Sequence, residues 1–183
     1  MSKGKQPNII LKLALLGDPA VGKTSLINRY VDHKFENDYQ PTLGVNIVAK
    51  KVIIEERNIE AKLILWDIAG QERYDLSRQL FFQGCWGALF VYDITRESTF
   101  SNIKSKWLCD LKNYGRDNAV FILIANKKDL KEERVISKKE GELFARKINA
   151  SDFIETSAKH GDNVEKAFKN LVLHVLSRSR KLN

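Results

Sequence analysis

The stretch LLGDPAVGKTSL, residues 15–26, follows the first apolar run of the chain. It matches G-x-x-x-x-G-K-[ST], the pattern of a loop that surrounds phosphates, at Gly17, Gly22, Lys23 and Thr24. Pro19 stands inside this loop, and proline has a fixed φ and no N–H to donate. The stretch therefore predicts a phosphate-binding loop and raises the question of what Pro19 does to it.

Apolar runs alternate with segments of helical periodicity on either side of this loop. Short apolar runs predict buried strands at 9–16, 63–67, 88–93, 120–126 and 153–156, and a weaker alternation predicts an edge strand at 45–55. Apolar stripes predict helices across 100–114 and 164–175. Further helix starts are predicted near Gly22, at Ser137 with Glu140, and at Asp162 with Glu165. This alternation predicts one α/β domain with a mostly parallel sheet.

Composition narrows the class of protein. The chain has 183 residues, is 43% apolar and carries a formal net charge of +8. The basic residues occur in scattered pairs without interleaved aromatic side chains, which favours a solvated surface over a nucleic-acid groove. Cys85 and Cys109 lie in apolar surroundings without metal-ligand spacing, so we expect two core residues and a reducing, intracellular compartment. No run is long enough to span a membrane.

The loop leaves a predicted strand and enters a predicted helix, where backbone N–H groups attract phosphate. Lys23 would reach the β- and γ-phosphates, and the Thr24 hydroxyl would coordinate Mg²⁺. The predicted phosphate-binding residues of this segment are Asp18, Pro19, Ala20, Val21, Gly22, Lys23, Thr24 and Ser25. The alternative for this segment alone is a glycine turn that caps a helix.

A second segment, LILWDIAGQERY, ends a predicted strand at Asp67. A carboxylate at the carboxyl end of a strand can hold a Mg²⁺-bound water at the ligand edge of the sheet. Gly70 would offer its N–H to a γ-phosphate, and Gln71 would orient an attacking water. We therefore assign Gln71, Gly70 and Lys23 as the candidate catalytic residues.

Two more segments follow strands at the same predicted edge. In NKKD, residues 126–129, Asp129 can accept hydrogen bonds from guanine N1 and N2, and adenine offers no such pair of donors. In ETSAK, residues 155–159, backbone N–H groups can bind guanine O6. Each segment alone is compatible with an ordinary strand-to-turn sequence. The four segments in this order favour a guanine-nucleotide site.

With these motifs in place, the chain resembles the Ras-like small GTPases and, within them, the Rab family, over about residues 8–177. The motifs are GDPAVGKT, YQPTLGV, WDIAGQERY, NKKD and TSAK, in family order and spacing. The resemblance implies a P-loop G domain: a six-stranded, mostly parallel sheet with one antiparallel edge strand, and five helices. We therefore expect a single domain, 1–183, with 1–7 and 178–183 as flexible ends.

The resemblance also assigns site residues. Thr42 is similar to the threonine that closes on Mg²⁺ and the γ-phosphate, which gives a metal set of Thr24, Thr42 and, through water, Asp67. Phe35 is similar to the aromatic residue that packs against guanine, and Lys127 and Lys159 would flank the base. By the same match the guanine site includes Asn126, Asp129, Ser157 and Ala158.

The implied activity is that of a monomeric GTPase switch in membrane traffic. GTP or GDP with Mg²⁺ would be its ligands, and an exchange factor, an activating protein and effectors its partners, with no nucleic acid. Ile47, Trp66 and Phe81 match a surface triad that effectors contact. Strand residues of this type are more often core, but the resemblance favours the surface. The lesser motifs look most like the branch associated with lysosome-related organelles. The alternatives are a non-hydrolysing scaffold on the same fold and a GTPase associated with nucleic acid.

Membrane attachment and Pro19 complete the expectations. Rab proteins usually end in prenylated cysteines, whereas no cysteine follows Cys109, so we expect a trimmed tail or another mode of attachment. The expected location is the cytoplasm, on the cytosolic face of an intracellular membrane, with peripheral association of the full-length form. Pro19 lies where the family loop approaches the γ-phosphate. We expect it to leave nucleotide binding intact but to restrict which activating proteins accelerate hydrolysis.

Overall fold

The computed structural model describes residues 8–35, 41–42, 44–69 and 82–179. Six strands form one sheet in the order β2-β3-β1-β4-β5-β6. Their bounds are β1 Asn8–Leu16, β2 Val45–Ile54, β3 Ile59–Ile68, β4 Gly87–Asp93, β5 Val120–Asn126 and β6 Asp152–Glu155. Only β2 runs antiparallel to its neighbour among these strands, which confirms the predicted mostly parallel sheet with one antiparallel edge strand.

Four helices lie in the described residues, if one interrupted helix is counted once. Helix α1 is Lys23–Asp32, α3 is Lys138–Lys147 and α4 is Val164–Ser179. Helix α2 consists of Glu97–Asn102 and Leu108–Tyr114, joined by a π-helical turn at Ile103–Trp107. The predicted count of five helices stays a prediction. No helix in the described part of the chain is long and apolar enough to cross a membrane.

Two apolar layers hold the helices against the sheet. On one face α1 and α4 cover leucines of β1 and β3, and Tyr30 of α1 stacks on Phe168 of α4 with ring centroids 4.0 Å apart. On the other face α2 and α3 cover alternate residues of β1, β4 and β5, with Trp107 and Phe90 fully buried. Helices on both faces explain why the central strands are continuous apolar runs.

The strand register brings the carboxyl ends of the parallel strands to one edge of the sheet. Leu15 of β1 pairs with Asp67 of β3, and Asp93 of β4 pairs with Asn126 of β5. The carboxyl ends of β1, β3, β5 and β6 therefore lie along this edge. Ligands of open α/β sheets bind at this edge, at the point where the connections from two adjacent strands run in opposite directions.

Some local predictions differ from the structure. Strand β3 begins at Ile59, whereas the sequence predicts only the apolar run 63–67. The first half of the strand alternates between buried and more exposed residues, so it contains no continuous apolar run. The capping box of Ser137 and Glu140 is confirmed, with both reciprocal hydrogen bonds present. Helix α4 begins at Val164, so the residue before it is Asn163 and not the predicted Asp162.

The two cysteines have different environments. The prediction that both lie in the core is correct for Cys85, which is fully buried, and wrong for Cys109, which is exposed. Cys109 follows two buried residues of α2, Trp107 and Leu108, and the helix rotation carries it to the outer face. Local apolar neighbours do not reveal this rotation.

Candidate nucleotide site

The loop between β1 and α1 turns at two glycines with positive φ. Gly17 has a φ of 151°, and a Cβ there would lie 2.1 Å from Val91 O. Gly22 has a φ of 97°, and a Cβ there would lie 2.3 Å from Asn126 Nδ2. A side chain at either position would push the loop away from β4 and β5. Glycine is therefore required at both ends of the loop.

Lys23 projects from the first turn of α1 into this loop. It is 5% exposed, and its Nζ donates to Gly17 O at 2.8 Å and Asp18 O at 2.9 Å. Burial lowers the pKa of Lys23 to about 8, against the charges of Asp67 and Asp18, which raise it. An ammonium held by carbonyl dipoles in a buried loop gains stability when an anion such as phosphate arrives.

Three oxygen-bearing side chains meet beside the loop. Thr24 Oγ1 donates to Asp67 Oδ2 and lies 2.9 Å from Thr42 Oγ1, which itself lies 3.5 Å from the same carboxylate oxygen. Burial raises the pKa of Asp67, opposed by the hydrogen bond from Thr24 and the charge of Lys23. Among the described residues, Asp67 Oδ1 is buried without a hydrogen-bond partner. Hydroxyls and a carboxylate with an unsatisfied oxygen fit Mg²⁺, which prefers hard oxygen ligands.

Asn126 ties the phosphate loop to the loops at the other end of the edge. It is 1% exposed, and its Nδ2 donates to Val21 O at 2.8 Å. Its Oδ1 accepts from Thr156 Oγ1 at 3.0 Å and from the Ala158 N–H at 3.3 Å. The predicted guanine-site residue Asn126 thus crosslinks three segments, and its amide holds their relative positions.

The remaining predicted guanine-site residues lie at this same end. Asp129 is half-buried, and its Oδ1 accepts from Ser157 Oγ at 2.6 Å. Lys127 has a φ of 66°, and its Nζ lies 2.7 Å from Asp93 Oδ2. Lys159 is exposed. The structure therefore brings these side chains to one edge, while their contacts with a base stay predictions.

Phe35 follows α1 and is partly buried against the core layer of α1 and α4. The N–H of Ser157 donates to Asp162 O at 3.1 Å. Two of the N–H groups expected to bind guanine O6, those of Ser157 and Ala158, therefore have partners within the protein. The O6 contact stays a prediction.

The sequence motifs do not indicate three charged residues that the structure places at the site. Arg29 on α1 donates to the carbonyls of Ala158 and Lys159 at 2.9 and 2.6 Å and so braces the loop after β6. Asp93 at the end of β4 pairs with Arg96, whose Nε lies 3.1 Å from Oδ2. Asp93 carries the same signal as Asp67, an acid at the end of a buried strand, whereas no local pattern indicates Arg29.

The carboxylate of Asp93 is a buried anion with cationic partners. Burial alone would raise its pKa, but hydrogen bonds from Lys127 and Thr95 and the charge of Lys127 hold the pKa below the usual value. Arg96, paired to the same carboxylate, donates from Nη2 to Pro19 O at 2.9 Å. The exposed Pro19 is thus anchored through its carbonyl, the one backbone hydrogen-bonding group that proline keeps.

The predicted effector surface is described in part. Ile47 of β2 is 50% exposed and pairs in register with Trp66 of β3. Trp66 is half-buried, with Lys12 Nζ 3.7 Å from its ring centroid. Phe81, Gly70 and Gln71 lie outside the described residues. Their roles in effector binding and catalysis stay predictions.

The sheet is mostly parallel and has helices on both faces, and a loop that begins and ends near a glycine and carries Lys23 lies at its carboxyl edge. These features define the class of P-loop nucleotide-binding proteins. The sequence model that represents the Ras family matches residues 12–177 of this chain. The chain is 37% identical over 175 residues to the GTP-binding protein ypt3 of Schizosaccharomyces pombe, covering 96% of this chain and 80% of that protein.

Other relatives agree with this match. Identity is 39% over 166 residues with the Ras-related protein RABA2a of Arabidopsis thaliana, covering 91% of this chain and 75% of that protein. Identity is 34% over 174 residues with the Ras-related protein rab-11.1 of Caenorhabditis elegans, covering 95% and 81%. The chain belongs to the Ras family and, within it, to the Rab-type small GTPases, enzymes that hydrolyse GTP and act in membrane traffic. The finer assignment to a branch stays a prediction.

Proposed function

We propose that this GTPase is a nucleotide-controlled switch whose GTP-bound form recruits effectors and whose GDP-bound form releases them. The observation that supports this most is the contact of Thr42 with Thr24 and Asp67. Thr42 precedes β2, Thr24 lies in the first turn of α1 and Asp67 lies near the end of β3, so this contact brings oxygen-bearing side chains from three segments together. A γ-phosphate would favour the closed arrangement, and its loss would release Thr42.

The phosphate loop would hold the nucleotide through charge and backbone donors. Lys23 would exchange its carbonyl partners for the β- and γ-phosphate oxygens, while N–H groups from Ala20 through Thr24 surround the β-phosphate. When bound at Thr24, Thr42 and, through water, Asp67, Mg²⁺ would supply neutralisation of the phosphate charge. Gln71 would orient the attacking water and Gly70 would donate to the γ-phosphate, as their motif predicts.

The base end of the site would give guanine selectivity. Asp129 would accept from N1 and N2 with the carboxylate capacity that remains beside its bond from Ser157. Phe35, Lys127 and Lys159 would line the faces of the base. Asn126 would fix the distance between this end and the phosphate loop.

The partner proteins of this GTPase would distinguish its GTP-bound form from its GDP-bound form. Effectors would contact Ile47, Trp66 and Phe81 in the GTP form, an exchange factor would open the phosphate loop, and an activating protein would supply further charge to the transition state. Without an activator, hydrolysis would proceed at about 10⁻⁴ to 10⁻³ s⁻¹. We propose a monomer with a single domain, peripheral on the cytosolic face of an intracellular membrane in its full-length form.

Two measurements test this proposal. Single-turnover hydrolysis of GTP at the slow rate above is expected, whereas tight binding without turnover would favour the non-hydrolysing scaffold. Pull-downs from extract of its own cells, loaded with GDP or a non-hydrolysable GTP analogue, should retain effectors only on the analogue form. Equal capture by both forms would contradict the switch.

A further inference from the structure

Asp18, the second residue of the phosphate loop, turns its carboxylate away from the loop interior and toward helix α2. It is 9% exposed, its Oδ1 accepts from Trp107 Nε1 at 2.9 Å, and its Oδ2 accepts from Asn102 Nδ2 at 2.7 Å. Each carboxylate oxygen therefore has its own donor, and both donors come from one helix. Hydrogen bonds to a charged acceptor are stronger than those between neutral groups.

The π-helical turn of α2 is what allows both bonds. Asn102 and Trp107 are five residues apart, and in a regular α-helix such residues point about 140° away from each other. The N–H of Leu108, the residue after Trp107, donates to Ile103 O, five residues back. A π-type turn places residues five apart nearly above one another. The turn thus brings Asn102 and Trp107 to the same side of the helix, toward Asp18.

The two bonds act on the backbone that shapes the loop. The carbonyl of Asp18 is one of the two acceptors that hold Lys23 Nζ. The next carbonyl, of Pro19, accepts from Arg96, the residue before α2. Helix α2 and the residue before it therefore hold two successive loop residues, and a shift of the helix would alter the direction of the N–H groups that follow.

We propose that Asp18, Asn102 and Trp107 form a loop–helix clamp, a set of positioning residues through which helix α2 fixes the phosphate loop and sets how fast bound guanine nucleotide dissociates. This inference rests on the role proposed above for the phosphate loop. None of the three side chains needs to contact the nucleotide. A ligand or partner that displaced α2 would change nucleotide exchange without entering the site.

The test measures dissociation of a fluorescent GDP analogue, chased with excess GDP in Mg²⁺, from Trp107→Phe and Asn102→Ala. Trp107→Phe keeps a ring and removes the N–H donor. Asn102 is only half-buried, so Asn102→Ala tests the same clamp with a smaller disturbance of the core. Loss of one bond to a charged acceptor should speed dissociation about tenfold.

Val175→Ala is the control, because it creates a cavity beside Gly87, at the end of β4 opposite Asp93. This control should lower the melting temperature without changing the dissociation rate. A merely structural role for the clamp predicts the same outcome for Trp107→Phe and Asn102→Ala, and that result would overturn the inference. Failure of the wild type to bind guanine nucleotide would instead contradict the proposed function.

A deletion tests the helical geometry itself. Removing the exposed Ser105 places Asn102 and Trp107 four residues apart, about 40° around a regular α-helix. The deletion should therefore keep the clamp and the wild-type dissociation rate. Added to the deletion, Trp107→Phe should again speed dissociation about tenfold. A deletion variant that releases nucleotide as fast as Trp107→Phe would overturn the geometric part of the inference.

Discussion

The two ends of the nucleotide site satisfy their polar groups differently. At the phosphate end, Lys23 is a buried cation held by carbonyl oxygens, and Asp67 is a buried carboxylate with one unpartnered oxygen among the described residues. Burial lowers the pKa of Lys23 and raises that of Asp67. At the base end, Asn126 uses both its amide atoms within the protein, and Asp129 is only half-buried.

This difference indicates how binding free energy is divided. Charges that are already buried by the protein gain most when a phosphate and a cation bind, because little further desolvation is required of the protein. The base end gains less from charge but rejects bases whose donors do not match. We therefore expect substitution of a buried charge at the phosphate end to weaken binding most and substitutions at the base end to change selectivity.

Lys23→Met should cause the largest loss. Truncating one partner of a buried, hydrogen-bonded charge pair costs about 2–5 kcal/mol, so affinity for both GDP and GTP should fall about a thousandfold. Calorimetry or fluorescence titration measures this. Lys138→Met, which removes the same charge from an exposed position on α3, should bind normally. Near-normal affinity of Lys23→Met would end the distinction between the two ends.

Asp129→Asn should weaken guanine nucleotides about a hundredfold, since two hydrogen bonds to a charged acceptor are lost. The amide can donate to the C2 oxygen of xanthine while accepting from N1, so xanthosine nucleotides should bind better to this variant than guanosine nucleotides. Competition titrations with both nucleotides measure the change. Asp162→Asn is the control, because that nearby exposed carboxylate pairs with Lys128. Unchanged GTP affinity would remove Asp129 from the site.

How much the sequence predicts depends on whether a feature is local. Strand β5 was predicted with its observed bounds because both its faces are buried and its apolar run is continuous. The apolar stripe predicts α2, but its spacing does not reveal the π-type turn at Ile103–Trp107. Asn102 and Trp107 both donate to Asp18, which lies far away along the chain.

In the site, too, the sequence predicts the residues that belong to local motifs and misses those that act over a long distance along the chain. The order of strands predicts that motif residues such as Lys23, Thr24 and Asp67 lie together. In the structure Thr24 donates a hydrogen bond to Asp67, and the charge of Lys23 acts on the same carboxylate. Arg29, which braces the loop after β6, acts across 129 residues of sequence and belongs to no motif. Contacts of this kind depend on which helix covers which face, and no short segment encodes that.

Thr42→Ala tests the side of the phosphate end that would respond to nucleotide state. Removal of its hydroxyl from the Thr24 and Asp67 cluster should weaken a GTP analogue with Mg²⁺ about tenfold, the value of one hydrogen bond to a charged or metal-bound group, and leave GDP nearly unchanged. Effector capture should fall with it. Thr42→Ser keeps the hydroxyl, so its affinity for the GTP analogue and its effector capture should match those of the wild type. Equal losses for GDP and GTP would assign Thr42 to general binding and not to the switch.

Pro19→Gly should have the smallest effect on binding, although it lies at the phosphate end. Pro19 is exposed, its carbonyl is anchored by Arg96, and the N–H groups from Ala20 onward remain to surround the β-phosphate. Proline costs little where its φ is already suitable and no bond from its nitrogen is needed. GTP affinity and intrinsic single-turnover hydrolysis should therefore stay within about threefold of wild type.

The expected difference lies in stimulation by a Rab-type activating protein, because the ring of Pro19 would occupy space that an incoming activator residue needs. Stimulation should be greater for Pro19→Gly than for the wild type. Ala20→Gly is the control, since Ala20 already has a φ of 60° that glycine adopts readily, and its response to the activator should match that of the wild type. A large gain in GTP affinity for Pro19→Gly would show that the proline damages the phosphate loop. Equal stimulation of Pro19→Gly and wild type would remove the steric role and leave Pro19 as a neutral member of a loop whose shape is set by Gly17 and Gly22.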